Sequence, residues 1–216
     1  NASAGEYQAS HEHTLIDMAR KTFFSFHYKP DVQRAQVVRK SQFFKDHGEA
    51  GFYDASAFEK AKKDDPAALK RFLRKEMQGT SVVCVLVGAE TASRRWVRFE
   101  VLQALCDGRG LVGVRVHSIA DFDGKTAAAG DNPFNLLGVY RKDDVLQVVE
   151  RKTVDDKWTY TSDFGKLELE DWPYTNNLPP VGCTALSEFF SIHSWTNNAH
   201  EKIEGWIEAA ATQAGY

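Results

Sequence analysis

Apolar residues follow two rhythms along this chain. The runs Thr22-Phe23-Phe24-Ser25-Phe26 and Ser81-Val82-Val83-Cys84-Val85-Leu86-Val87 are almost continuously apolar, as strands covered on both faces must be. Gly51-Phe52-Tyr53-Asp54 and Leu111 to Val116 read as a second and a fourth strand of the same kind. Between them the spacing lengthens to three or four residues. Residues 30–44 carry Val32, Ala35, Val37, Val38 and Phe43, and residues 67–77 carry Ala68, Leu69, Phe72, Leu73 and Met77. A third helix is predicted from Trp96 to about Asp107, with a stripe of Val97, Val101, Ala104 and Leu105. Gly79 and Gly108-Arg109-Gly110 supply its neighbours' stops and its own. Strand and helix thus alternate four times, which predicts an α/β fold with a doubly wound parallel sheet in flavodoxin-like order.

After residue 120 the rhythm changes. Residues 121–135 carry Gly124, Gly130 and Pro133 and predict an excursion from the sheet. Residues 145–150 and 157–161 alternate apolar with polar around Asp155-Asp156, a hairpin signature. Residues 186–195 and 200–211 read as closing helices, the second with Ile203, Trp206, Ile207 and Ala210 on one face. The expected organisation is a disordered tail or expression-derived extension over 1–17, an α/β core over 18–138, and a hairpin-and-helix elaboration over 139–216 packed on that core.

Composition narrows the classes. A chain of 216 residues with a net charge of −3 can bury a full core and offers no general attraction for nucleic acid or an anionic membrane. No apolar stretch has the length of a membrane span, and the first seventeen residues lack the apolar segment of a secretory signal. Cys84, Cys106 and Cys183 show no paired spacing and read as reduced core residues of a cytoplasmic protein. The seven histidines are scattered without ligand spacing, so no metal site is expected. There is neither a glycine-rich phosphate loop nor a Gly-x-Ser-x-Gly elbow.

The chemically suggestive segment is Arg94-Arg95-Trp96-Val97-Arg98-Phe99-Glu100. Four residues apart on a helix, Trp96 and Glu100 share a face just beyond the carboxyl end of a buried strand, where open α/β sheets hold ligands. Glu100 falls at the edge of the apolar stripe, half-shielded. The alternative is a solvated Glu100 paired with Arg95 or Arg98, with Trp96 simply core.

Phe24-Ser25-Phe26-His27-Tyr28 at the first strand end, Phe52-Tyr53-Asp54 at the second, Val83 to Gly88, and Trp96-Val97-Arg98-Phe99-Glu100 together resemble a Toll/interleukin-1 receptor (TIR) domain. With Asn132-Pro133-Phe134, the later hairpin and the tryptophan-bearing closing helices, residues 20–210 are more closely similar to the TIR-like ThsB proteins of Thoeris, a bacterial antiphage defence system. The resemblance implies that Glu100 is the catalytic residue for breaking the nicotinamide–ribose bond of NAD, here a substrate and not a cofactor. It implies that Ser25, Phe26, His27, Asp54 and Trp96 bind that substrate. Many eukaryotic NAD-consuming TIR domains carry arginine after the first-strand aromatic, where this chain has His27-Tyr28.

Three functions compete. The first is an NAD nucleosidase or ADP-ribosyl cyclase that makes a cyclic or conjugated ADP-ribose signal for a separately encoded effector. Trp158, Tyr160, Trp172 and Tyr174 then either wall one end of the groove or pack on the sheet. The second is a non-catalytic module that self-associates through TIR surfaces. The third is a deoxyribosyltransferase-like enzyme with a glutamate nucleophile.

Overall fold

A computed structural model describes residues 20–41, 50–51, 58, 65–196 and 198–216. The chain runs through β1 (Thr22–Phe26), α1 (Tyr28–Arg39), β2 (Ala50–Gly51), α2 (Pro66–Glu76), β3 (Val82–Val87), α3 (Arg95–Cys106) and β4 (Gly110–Arg115). It then leaves the first sheet to form β5 (Leu137–Lys142), β6 (Val145–Glu150), β7 (Thr159–Tyr160), β8 (Leu167–Glu168) and β9 (Gly182–Ala185). Finally it returns as β10 (Ile192–Ser194) and α4 (Ala199–Gln213). No helix among the described residues is long and apolar enough to cross a membrane.

The first sheet has the order β2-β1-β3-β4-β10, with every neighbouring pair parallel. This is the flavodoxin-like order, and its topological switch point lies between β1 and β3, where the strand sequence reverses direction. Period-two alternation sorts the strand side chains onto two cores. Phe23, Val83, Val85, Val87 and Leu111 face α2 and α3 through Leu69, Leu73, Val97, Val101 and Leu105. Phe24, Phe26, Cys84, Leu86, Val112 and Val114 face α1 and α4 through Ala35, Val38, Ile203 and Ile207. At the helix starts, Asp65 caps α2 by accepting the Ala68 N–H at 2.6 Å, and Pro66 follows it. Gly110 admits no side chain, because a Cβ there would run into the Ala210 carbonyl of α4.

The second sheet is antiparallel, ordered β7-β6-β5-β9, with β8 also paired to β6. The hairpin expected between 145–150 and 157–161 forms as β6 and β7, in register Val149 with Tyr160. However, the longest partner of β6 is β5, joined to it through the two-residue link Asp143-Asp144, with Asp143 at φ 55°. The strong apolar signal of residues 145–150 drew attention to one neighbour only. The inner face of this sheet (Val139, Leu146, Val148) merges with the core around α3.

Two expectations need correction. Residues 186–195 are not a helix: Leu186–Glu188 make one 3-10 turn, and Ile192–Ser194 become the fifth strand of the first sheet. The open edge of β4 decides this, since Gly113 donates its N–H to the Ser191 carbonyl at 2.9 Å and β10 pairs along β4. Cys183 is exposed on β9, while Cys84 is buried. Of the two roles open to Trp172 and Tyr174, packing is the one found: both are buried, with the Trp172 indole donating to the Asn177 carbonyl at 3.0 Å and the Tyr174 hydroxyl to the Arg109 carbonyl at 2.6 Å. Asp54 lies outside the described residues.

Because Trp172 belongs to the core that holds α3, Trp172→Ala should cost about 3–5 kcal/mol of stability. Chemical denaturation followed by both fluorescence and far-UV circular dichroism checks this. A change under about 1 kcal/mol would show that this tryptophan is not part of the cooperative core.

Candidate active site

Alternation along β1 turns Phe23 and Ser25 toward α3, and Phe24 and Phe26 toward α1. Ser25 therefore points into the same space as the side of α3 that carries Glu100. Its hydroxyl donates a short hydrogen bond to Glu100 Oε2. Glu100 is only 1% exposed, and its other oxygen, Oε1, is enclosed without a hydrogen-bond partner among the described residues. The expectation of a half-shielded carboxylate understated its depth.

The reason lies on the other side of α3. Phe99 and Leu102, outside the stripe that the spacing picks out, are also buried. Phe99 stacks on Phe164 of the second sheet's loops at 5.4 Å between centroids. A helix apolar nearly all round is buried nearly all round.

The arginines do not neutralise Glu100. Arg98 donates to the Ala92 carbonyl at 2.9 Å, to Glu150 Oε2 at 3.1 Å and to the Arg151 carbonyl at 2.9 Å. Arg95 lies over the Trp96 ring, 4.9 Å from its centroid. Burial accordingly pushes the Glu100 carboxyl up to about 8, with the Ser25 hydrogen bond pulling in the opposite direction. At neutral pH the protonated form of the carboxyl is thus favoured.

Trp96 stands one turn before Glu100, partly buried, with Phe99 edge-on at 6.1 Å. His27 is the N-cap residue of α1 and offers no side-chain cap. Its Nδ1 sits 3.6 Å from Glu90 Oε2, and Glu90 pairs with Arg94. Burial, then the Arg94 charge, holds the His27 imidazole below its ordinary range, so it is neutral at pH 7. Phe26 is the residue that the geometry separates from the others. Its ring is on the opposite face of the sheet from Glu100 and stacks on Tyr28 at 6.0 Å.

The pairing of Glu90 with Arg94 was missed by sequence reasoning, although their spacing of four was legible as an ion pair. Asp31 was missed as well. It is buried against Gly88, its carboxyl is raised by burial against the opposing pull of Arg34, and Arg34 ties α1 to the Ile119 and Lys125 carbonyls at 3.0 and 3.2 Å. These contacts fix the carboxyl ends of β1 and β3 beside the site.

A cavity of about 360 Å³ lies on the far side of α3, lined by Arg95, Arg98, Phe99, Leu102, Tyr160 and Phe164. Glu100 takes no part in its wall. Among the described residues, no three His, Cys, Asp or Glu side chains gather as a metal would require.

Comparison with known proteins gives two matches. Residues 23–121 match the family described as "Thoeris protein ThsB, TIR-like domain". A Bacillus cereus (strain MSX-D12) protein, ThsB1, named as a candidate cyclic ADP-D-ribose synthase, is 32% identical over 197 residues, 88% of this chain and 100% of that protein.

The raised Glu100 carboxyl has a stability consequence with a definite sign. Between the unfolded value near 4.5 and the folded value near 8, the native state binds the extra proton, so stability falls as pH rises through that window. Glu100→Gln removes this dependence. The melting temperature of the variant minus that of the wild type should therefore grow from pH 5 to pH 8; a difference independent of pH would contradict the buried, raised carboxyl.

Proposed function

As the chain belongs to the Thoeris ThsB family of TIR-like proteins, we propose that it cleaves the nicotinamide–ribose bond of NAD and closes the ADP-ribose into a cyclic signal, with Glu100 as the catalytic residue. The observation that carries the reading is a deeply buried carboxyl with one oxygen unpaired among the described residues, at the switch point of the sheet. The relative's name supplies the class of product.

The chemistry asks little of acid catalysis. Nicotinamide leaves as a neutral ring, taking the bonding electron pair from a cationic pyridinium, so nothing must protonate it. Positive charge instead develops on the ribose carbon and ring oxygen, and a carboxylate aimed there stabilises the transition state more than the ground state. A nucleophilic atom of the same molecule, or of another small acceptor, then bonds to that carbon and its proton passes to the site or to solvent. Shielding from water favours such capture over hydrolysis.

The raised proton affinity of Glu100 fits this scheme. A pyridinium arriving beside Glu100 favours the charged form and draws the proton off, so substrate itself arms the carboxylate. Trp96 forms an aromatic wall one turn away, His27 sits on the rim, and Asp54 completes the binding set implied by the family resemblance, whereas Phe26 backs β1 from the opposite face. Product leaves to act on a separately encoded effector, and TIR surfaces support self-association.

Glu100→Gln should lower nicotinamide release by about 100-fold or more while the protein stays folded. Mass spectrometry of the products decides the outcome: cleavage at wild-type rate by the folded variant refutes the assignment, and free ADP-ribose as the sole product refutes cyclisation. The pH profile gives a separate check. The acid limb of kcat/KM, which reports the free enzyme, should fall near pH 8, and that of kcat should lie lower because bound substrate ionises Glu100. Trp96→Ala should reduce turnover; reduced melting temperature with normal turnover would make Trp96 purely structural.

A further inference from the structure

Ser25 stands where the family resemblance expects a substrate-binding residue, yet its side chain is 0% exposed and its hydroxyl is already engaged. A serine hydroxyl has a single proton to donate, and here it goes to Glu100 Oε2. The partner oxygen Oε1 is enclosed and has no hydrogen-bond partner among the described residues. The carboxyl is thus tethered by one oxygen and free at the other.

We propose that Ser25 is a positioning residue, which pins Glu100 Oε2 so that the carboxyl keeps one orientation and presents Oε1 alone to the ribose of the dinucleotide. This rests on the NAD-cleaving reading above. Three features support it. First, the tether stands on a strand paired on both sides, β1 between β2 and β3, which holds an atom more precisely than a loop does. Second, among the described residues no other side chain is bonded to Glu100. The side chains that β3 turns to this side are Val83, Val85 and Val87, and the nearby arginines Arg95 and Arg98 are engaged elsewhere. Third, the bond favours the ionised carboxyl against the effect of burial, which is the form that opposes a cationic transition state.

A free glutamate samples several rotamers, and each unproductive one withholds the charge from the reacting carbon. Removal of the tether therefore acts on turnover and on proton affinity, with little effect on binding. A residue that touched the substrate directly would act chiefly on KM.

The experiment compares wild type with Ser25→Ala, which deletes the hydroxyl without adding volume, and Ser25→Thr, which keeps it. Thermal melting establishes that each is folded. Nicotinamide release from NAD is followed across pH, and the Glu100 carboxyl is titrated by carbon-13 NMR without NAD. Ser25→Ala should lower kcat about 10- to 100-fold, the range expected for a lost hydrogen bond to a charged group. KM should stay within a factor of about two, and both the acid limb of kcat/KM and the NMR titration should move to higher pH. Ser25→Thr should restore all three.

An unchanged Glu100 titration in Ser25→Ala overturns the proposal, as does a loss confined to KM. A wild type that releases no nicotinamide overturns the NAD-cleaving reading instead. In that case the titration, which needs no substrate, alone decides whether Ser25 holds the carboxyl.

Discussion

Taking a carboxyl group out of water costs several kcal/mol if it is to stay charged, and at Glu100 the single hydrogen bond that offsets this among the described residues comes from Ser25. Much of the architecture can be traced to keeping that pair together and dry. The parallel strands β1 and β3 set the height of Ser25 relative to α3. The second sheet and its aromatic loops cover the outer side of α3, so the helix that carries Glu100 cannot rotate away from the strand that carries Ser25. The cost is accepted as a raised proton affinity rather than relieved by an arginine.

The core was legible in the sequence wherever one rhythm dominated. Strands β1 and β3 stand out because both faces are covered, and α2 because Leu69 and Leu73 mark its buried side; its capped start at Asp65 and Pro66 was not read from the sequence. Sequence spacing also placed Glu100 and Trp96 on one face of α3. It did not give the depth of Glu100, because a stripe of Val97, Val101, Ala104 and Leu105 suggests one covered side, and the burial of Phe99 and Leu102 requires a second sheet that no local signal announces.

The misreading of residues 186–195 has a similar origin. Leu186, Phe189 and Phe190 carry helical spacing, and they do make one tight turn, with the Phe190 N–H donating to the Leu186 carbonyl at 2.9 Å. What ends it is remote: β4 has an unpaired edge, and Ile192–Ser194 satisfy it. The pairing of Ser25 with Glu100 is remote in the same sense. Alternation along β1 gives the face of Ser25, but only the register between strand and helix says that it meets Glu100.

The detour between β4 and β10 has a consequence for the newly made chain. Four strands of the parallel sheet are complete by residue 115, while the fifth arrives only after the whole antiparallel sheet has been laid down. Until then the emerging polypeptide presents β4 as a bare edge, the kind of template on which chains stick to one another, and closing it joins Gly113 to Ile192 across the whole antiparallel sheet. Strand β10 is three residues long, which makes it a poor template in its turn. The last strand therefore acts as a seal on synthesis: a truncated product would expose β4, whereas the finished chain ends its sheet on an edge too short to recruit another copy.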